Sequence, residues 1–213
     1  MSDFPEERAV HALNRTVKTG TTTVGIMVKD AVILGADKRA TMGYLVASKT
    51  AEKIQKISEH IAGTIAGGVA DAQYLMDYLA TRVRLYEMRH GKRMAVNTLV
   101  KILARELFSA KYPIPYHVQH IIGGVDGDGP KLYDVGGDGS ILKEEYASTG
   151  SGSVFAYGVL EDGFKPGMDV EAGIDLVRKA VGAAISRDIA SGNGIDVVII
   201  TRDRFERQYF DPA

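Results

Sequence analysis

Gly20 and Thr21 form a junction at which one residue can become both nucleophile and base. If the bond between them is cut, Thr21 carries a hydroxyl and a free α-amine together. Thr21, Thr22 and Thr23 equally suit the start of a strand, because threonine fits a pleated, half-buried surface. Locally both readings stand. Asp37 closes one apolar run and Lys53 opens the next; each is either a solvated strand-end charge or a catalytic group. Gly67-Gly68 sits between a strand and a helix. Glycines there ease the turn, or let backbone amides at a helix start approach an oxyanion. Gly150-Ser151-Gly152-Ser153 precedes another helix and reads as a capped start or as a hydroxyl presented to a site. Phosphate binding is not expected, since Phe155 stands where a dinucleotide loop needs glycine and no P-loop lysine follows. Asp188 and Ser191, taken alone, are surface and turn residues at a helix end.

Other chemistries find no support. His11, His60, His90, His117 and His120 lack metal-ligand spacing, and the chain has no cysteine, so neither a metal site nor a cofactor is expected. No serine sits on a G-x-S-x-G elbow.

The elements that must carry these groups follow from hydrophobic period. Strand-like runs at 22–28 and 31–37 are separated only by Lys29-Asp30, and a second pair at 53–58 and 61–66 by Glu59-His60. Ala72, Leu75, Leu79, Val83 and Tyr86 then recur at helical spacing up to Gly91, and Val96, Leu99, Val100, Leu103 and Leu107 repeat the pattern. Strands return at 118–125, 131–135 and about 141–147. Two helices follow, at about 153–160 and from Asp169, a good N-cap, onward. Strands at 195–201 and near 207–210 close the chain. Helices in consecutive pairs do not make βαβ crossovers. Two antiparallel sheets face to face, each covered by a helix pair, bury every apolar face: an α+β, four-layer α-β-β-α sandwich in one domain.

Composition is that of an ordinary globular protein: 213 residues, 45% hydrophobic, 25% charged, with 26 basic against 27 acidic side chains. A net charge of −1 argues against a nucleic-acid scaffold or a polybasic membrane binder. No apolar stretch nears the roughly 20 residues that span a bilayer. Asp3, Glu6, Glu7, Arg8 and Arg15 interrupt any secretory h-region, so a cytoplasmic protein is expected.

The blocks Thr21-Thr22-Thr23-Val24-Gly25, Ala36-Asp37-Lys38-Arg39-Ala40-Thr41-Met42-Gly43, Lys53, Ala66-Gly67-Gly68, Gly150-Ser151-Gly152-Ser153 and Arg187-Asp188-Ile189-Ala190-Ser191-Gly192 fall in order along the chain. Together with 155–162 and 194–198 they resemble the β-subunit family of 20S proteasomes of the archaeal type, over about residues 21–201. The resemblance implies an N-terminal-nucleophile hydrolase fold and a threonine endopeptidase. It makes residues 1–20 a propeptide removed by autolysis between Gly20 and Thr21, and 21–213 the catalytic domain. Thr21 then matches the nucleophile, Asp37 and Lys53 the family's acid and lysine, and Gly67 the oxyanion donor. Ser151, Asp188 and Ser191 match the residues supporting the nucleophile and its amine. Ala40, Thr41, Ala51, Gln55, Ile65, Val69 and Gln73 would line the pocket for the residue before the scissile bond, open and mostly apolar, without a fixed charge. Expected partners are further β subunits in paired heptameric rings, α-subunit rings, a regulatory ATPase and unfolded protein substrates. The same fold also serves as a non-catalytic ring subunit or as a stand-alone amidase.

Overall fold

The computed structural model describes residues 20–113 and 115–211; except for Gly20, the leader expected at 1–20 lies outside the described residues. The first expected hairpin is β1 (Thr23–Met27) with β2 (Val32–Asp37), closed where the Val28 amide donates to the Ala31 carbonyl at 2.9 Å. Its side chains alternate between two buried faces. Val24, Ile26 and Ile33 pack under helices, while Val32, Leu34 and Ala36 pack toward the opposing sheet. Burial on both faces explains why these strands read as continuous apolar runs rather than as an alternation.

The second expected hairpin is β5 (Ile54–Ser58) with β6 (Ile61–Thr64), and a two-residue strand, β7 (Ala66–Gly67), leads into helix α1 (Val69–His90). Helix α2 (Val96–Ser109) follows, then β8 (Val118–Asp126), β9 (Gly129–Gly136), β10 (Ile141–Glu144) and β11 (Tyr146–Thr149). Helices α3 (Ser153–Gly163) and α4 (Val170–Arg187) come next, and β12 (Ile195–Ile200) and β13 (Phe205–Phe210) end the chain. Asp169 caps α4 as its sequence suggests, accepting from the Ala172 amide at 2.8 Å.

One sheet runs β11-β1-β2-β12-β13 and the other β10-β9-β8-β6-β5, with β7 on β8, and every pairing is antiparallel. Three apolar clusters define the four layers. Leu75, Leu79, Leu99, Leu103 and Ile122 lie between α1–α2 and the second sheet. Leu34, Ile54, Ile121, Leu132 and Val198 lie between the sheets. Ile26, Ile33, Leu160, Val177 and Val181 lie between the first sheet and α3–α4. Each such side chain contributes about 1.5–3 kcal/mol by leaving water. The α-β-β-α sandwich is therefore the fold.

Two details differ from the sequence reading. A small hairpin of β3 (Ala40–Met42) and β4 (Leu45–Ser48) stands apart from both sheets. Its Met42, Tyr44 and Leu45 are exposed, so no buried face imprints a period-2 pattern on the sequence. The single strand expected near 141–147 is two: β10 pairs with β9 in the second sheet and β11 with β1 in the first. The chain changes sheets at Glu145, whose carbonyl accepts from the Met27 amide at 2.7 Å. That crossing brings Gly150-Ser151 beside the start of β1.

Candidate active site

Thr21 precedes β1 at the end of the first sheet and is buried. Because β1 pairs with both β2 and β11, Thr23 lies opposite Ala36 on one side and Thr149 on the other. That register sets Asp37 and Ser151 on the two flanks of the Gly20–Thr21 junction.

Asp37, fully buried, accepts four hydrogen bonds. Oδ1 accepts from the Thr22 amide at 2.9 Å and from Lys53 Nζ at 2.6 Å. Oδ2 accepts from the Arg39 amide at 3.0 Å and the Gly192 amide at 2.9 Å. Every lone-pair site faces a donor, as suits a carboxylate and no other group. The solvated strand-end reading of Asp37 and Lys53 does not hold, since both side chains are buried as an ion pair. Burial pushes the Lys53 ammonium below the ordinary lysine range; the Asp37 carboxylate, and Asp188 more weakly, pull it back up. Lys53 Nζ also donates to the Gly20 carbonyl at 3.2 Å. The Thr21 hydroxyl donates to the same carbonyl at 2.7 Å. Nucleophile and cation thus converge on the carbonyl of the bond in question.

On the other flank, Asp188 stands at the C-cap of α4. Its Oδ2 accepts from Ser151 Oγ at 2.6 Å and from Ser191 Oγ at 2.7 Å. A hydroxyl has one proton, and the short contact to a carboxylate claims it. Ser151 Oγ is thereby left as an acceptor toward the Thr21 nitrogen, 3.3 Å away. By the same logic the Thr22 hydroxyl donates to Ser191 Oγ, at 2.7 Å. The Gly150–Ser153 segment is not a side-chain helix cap: Gly152 occupies the N-cap of α3 with no side-chain hydrogen bond. Its serine belongs to the site.

Gly67 has φ +96°, and a Cβ there would lie 2.1 Å from the His117 carbonyl oxygen, so the backbone path requires glycine. Gly68 is the N-cap of α1, so the positive end of that helix faces the site. Beside Thr21, Lys53 and Gly67 lies a cavity of about 130 Å³. Ala40, Ala51, Ile65, Val69 and Gln73 line it. Thr41 and Gln55 do not: the Thr41 hydroxyl accepts from the Gly20 amide at 2.9 Å, and the half-buried Gln55 side chain donates to the Glu52 carbonyl. Glu52 does line the cavity, so a pocket free of ionisable walls beyond Lys53 is not what the fold builds. A more open recess bounded by Tyr116, His117 and Ser151 lies on the far side of Gly67.

Sequence reasoning missed several supports. Arg39 reaches across, Nε to Asn193 Oδ1 and an Nη to the Ile189 carbonyl, both at 2.9 Å, and so fixes the loop carrying Asp188, Ser191 and Gly192. Beneath the site, buried hydroxyls bridge the sheets: Thr23 Oγ1 contacts Thr149 Oγ1 at 2.6 Å and Thr64 Oγ1 at 3.1 Å. The visible signal was threonine recurring in strands otherwise buried on both faces. Among the described residues, no helix is long and apolar enough to cross a membrane.

The sequence profile described as "Proteasome subunit" matches residues 17–200. The chain is similar to "Proteasome subunit beta" of Methanocorpusculum labreanum, 50% identical over 194 residues, 91% of each chain. It is 47% identical to the Methanoregula boonei protein of that name over 88% of each chain. It is 44% identical to the one from Haloferax volcanii over 95% of this chain and 82% of the relative. With a family profile spanning most of the chain and β subunits matching it nearly end to end, the chain belongs to the proteasome family, among its β subunits.

Proposed function

We propose that this β subunit is a threonine endopeptidase that generates its own nucleophile by cutting the Gly20–Thr21 bond, with residues 1–20 as propeptide and 21–213 as the catalytic domain. The observation that carries this is the convergence of the Thr21 hydroxyl and the Lys53 ammonium on the Gly20 carbonyl, at 2.7 and 3.2 Å. In the uncut chain Thr21 Oγ attacks the Gly20 carbonyl carbon. Lys53 stabilises the charge on the carbonyl oxygen, and the Asp37 carboxylate holds Lys53 in place. The C–N bond breaks, the hydroxyl proton ends on the Thr21 nitrogen, and an ester remains. Water hydrolyses the ester, leaving a Gly20 carboxylate, the free Thr21 hydroxyl and an α-amine.

The same groups then serve substrates. An α-amine titrates near pH 8, about two units below a lysine, so it is partly free base at neutral pH. It takes the Thr21 hydroxyl proton as Oγ attacks a peptide carbonyl, the Gly67 amide stabilises the oxyanion, and water releases the acyl group. Ser151, left as an acceptor because its proton goes to Asp188, orients the amine, and Ser191 helps hold that carboxylate in place. The cavity lined by Ala40, Ala51, Ile65, Val69 and Gln73 takes the residue before the scissile bond, with preference for large apolar side chains; Thr41 and Gln55 act around it rather than in its wall. As a member of the proteasome core the subunit assembles with other subunits. Paired heptameric β rings under α rings, fed with unfolded protein by a regulatory ATPase in the cytoplasm, are the setting we infer.

A fluorogenic peptide panel tests this reading. Hydrolysis after large apolar residues by the matured wild type, and none by Thr21→Ala, is expected. Cleavage that persists in Thr21→Ala would overturn it.

A further inference from the structure

Glu52 and Ile54 flank Lys53, and one side chain grips both from behind. Arg207, on β13, donates to the Glu52 carboxylate at 3.1 Å and to the Ile54 carbonyl at 2.5 Å. The third face of its guanidinium stands 3.5 Å from the carboxylate of Asp196, which is 1% exposed and has no hydrogen-bond partner among the described residues. The arginine is thus anchored to a buried counter-charge on β12 while it reaches the wall of the specificity cavity. Its side chain is 21% exposed, that of Glu52 57%. Among the described residues that line the cavity, Glu52 is the one acidic residue.

From this arrangement we propose that Arg207 is a specificity-determining residue: by pairing with Glu52 it keeps the cavity neutral and so admits apolar side chains. Guanidinium suits the task because its rigid planar fork aims separate nitrogens at the carboxylate and the backbone carbonyl while a third faces Asp196. Without Arg207, the Glu52 carboxylate turns back to the cavity mouth and attracts a cation there. At that exposure an ion pair is worth at most about 1 kcal/mol. Cleavage after Arg or Lys relative to Leu then rises by up to roughly five-fold, the factor that energy gives. The inference rests on the reading of this cavity as the pocket for the residue before the scissile bond.

The test measures kcat/KM for matched peptides ending in Arg, Lys or Leu before the reporter. The full-length chain is used, matured and assembled. Arg207→Met should raise the Arg/Leu and Lys/Leu ratios, by up to about five-fold, and Arg207→Met with Glu52→Gln should return them to wild type. Because Arg207→Met strands the Asp196 carboxylate, the pair Arg207→Met with Asp196→Asn is measured alongside and should show the same rise. A uniform loss on all peptides, or a rise that survives Glu52→Gln, overturns the proposal by showing that Arg207 acts on packing and not on charge. If wild type cleaves none of these peptides, the functional reading itself fails and the inference falls with it.

Discussion

Replacing Asp37 by Asn removes one oxygen and one charge from the most constrained point of the site. The carboxylate accepts from two donors on each oxygen: Thr22 N and Lys53 Nζ on one side, Arg39 N and Gly192 N on the other. Whichever way an asparagine amide turns, its NH2 faces two donors within 3.0 Å. The buried Lys53 ammonium also loses its counter-ion. Breaking a buried ion pair from one side costs about 3–5 kcal/mol. For a chain of this length each kcal/mol lowers Tm by about 2–4 °C, so Asp37→Asn should melt roughly 6–20 °C below wild type. Chemistry suffers too. Burial already pushes Lys53 below its ordinary range, and without Asp37 it loses its proton more readily, so the Gly20 carbonyl is no longer polarised. Two readings decide the matter: thermal unfolding of the precursor, and intact mass over time to follow loss of the leader. A variant that melts within about 2 °C of wild type and matures at the same rate would refute the role given to this carboxylate.

Gly20→Ala tests the close approach at the junction. A Cβ on residue 20 would sit 1.7 Å from Ala190 Cβ, so the carbonyl must move off Lys53 and Thr21. Maturation of Gly20→Ala should slow by at least about tenfold, the factor of one lost hydrogen bond, as read by gel or mass. Acid stability offers a second check. His120 is buried and held to a pKa of about 4, so the fold loses stability as pH drops from 6.5 toward 4, by about 3 kcal/mol for this group. Asp196 is raised by burial to about 6, so its contribution runs the other way: the fold binds its proton more tightly and gains stability as pH drops from about 6 toward 3.8. Denaturant unfolding at pH 6.5 and pH 4 should therefore show a steeper acid loss in Asp196→Asn than in wild type, and a shallower one in His120→Gln.

Period and turn residues carried most of the fold. β1 and β2 announced themselves because both their faces are buried, and α4 because Asp169 caps an amphipathic face. The β3–β4 hairpin left no trace because its large apolar side chains, Met42, Tyr44 and Leu45, point to water. The split of β10 from β11 was hidden because a strand that changes sheets keeps its β-propensity while changing its partner. For the site, no residue alone demanded more than an ordinary reading, and only their order along the chain, read as a resemblance, drew them together. What no local pattern held was pairing in space. Arg39 and Asn193 are brought into contact by sheet register and a loop, and Arg207 and Glu52 by the packing of β13 beside the start of β5. These contacts span 154 and 155 residues, beyond the reach of any spacing rule.

Whether the Thr21 hydroxyl cuts the bond before it is read by intact mass with N-terminal sequencing of the expressed full-length chain, wild type against Thr21→Ala. Wild type should begin at Thr21 and hydrolyse peptides, while Thr21→Ala should keep the bond between residues 20 and 21 and be inactive. Wild type that retains Met1 while cleaving peptides, or Thr21→Ala cut at the same bond at the wild-type rate, would contradict it.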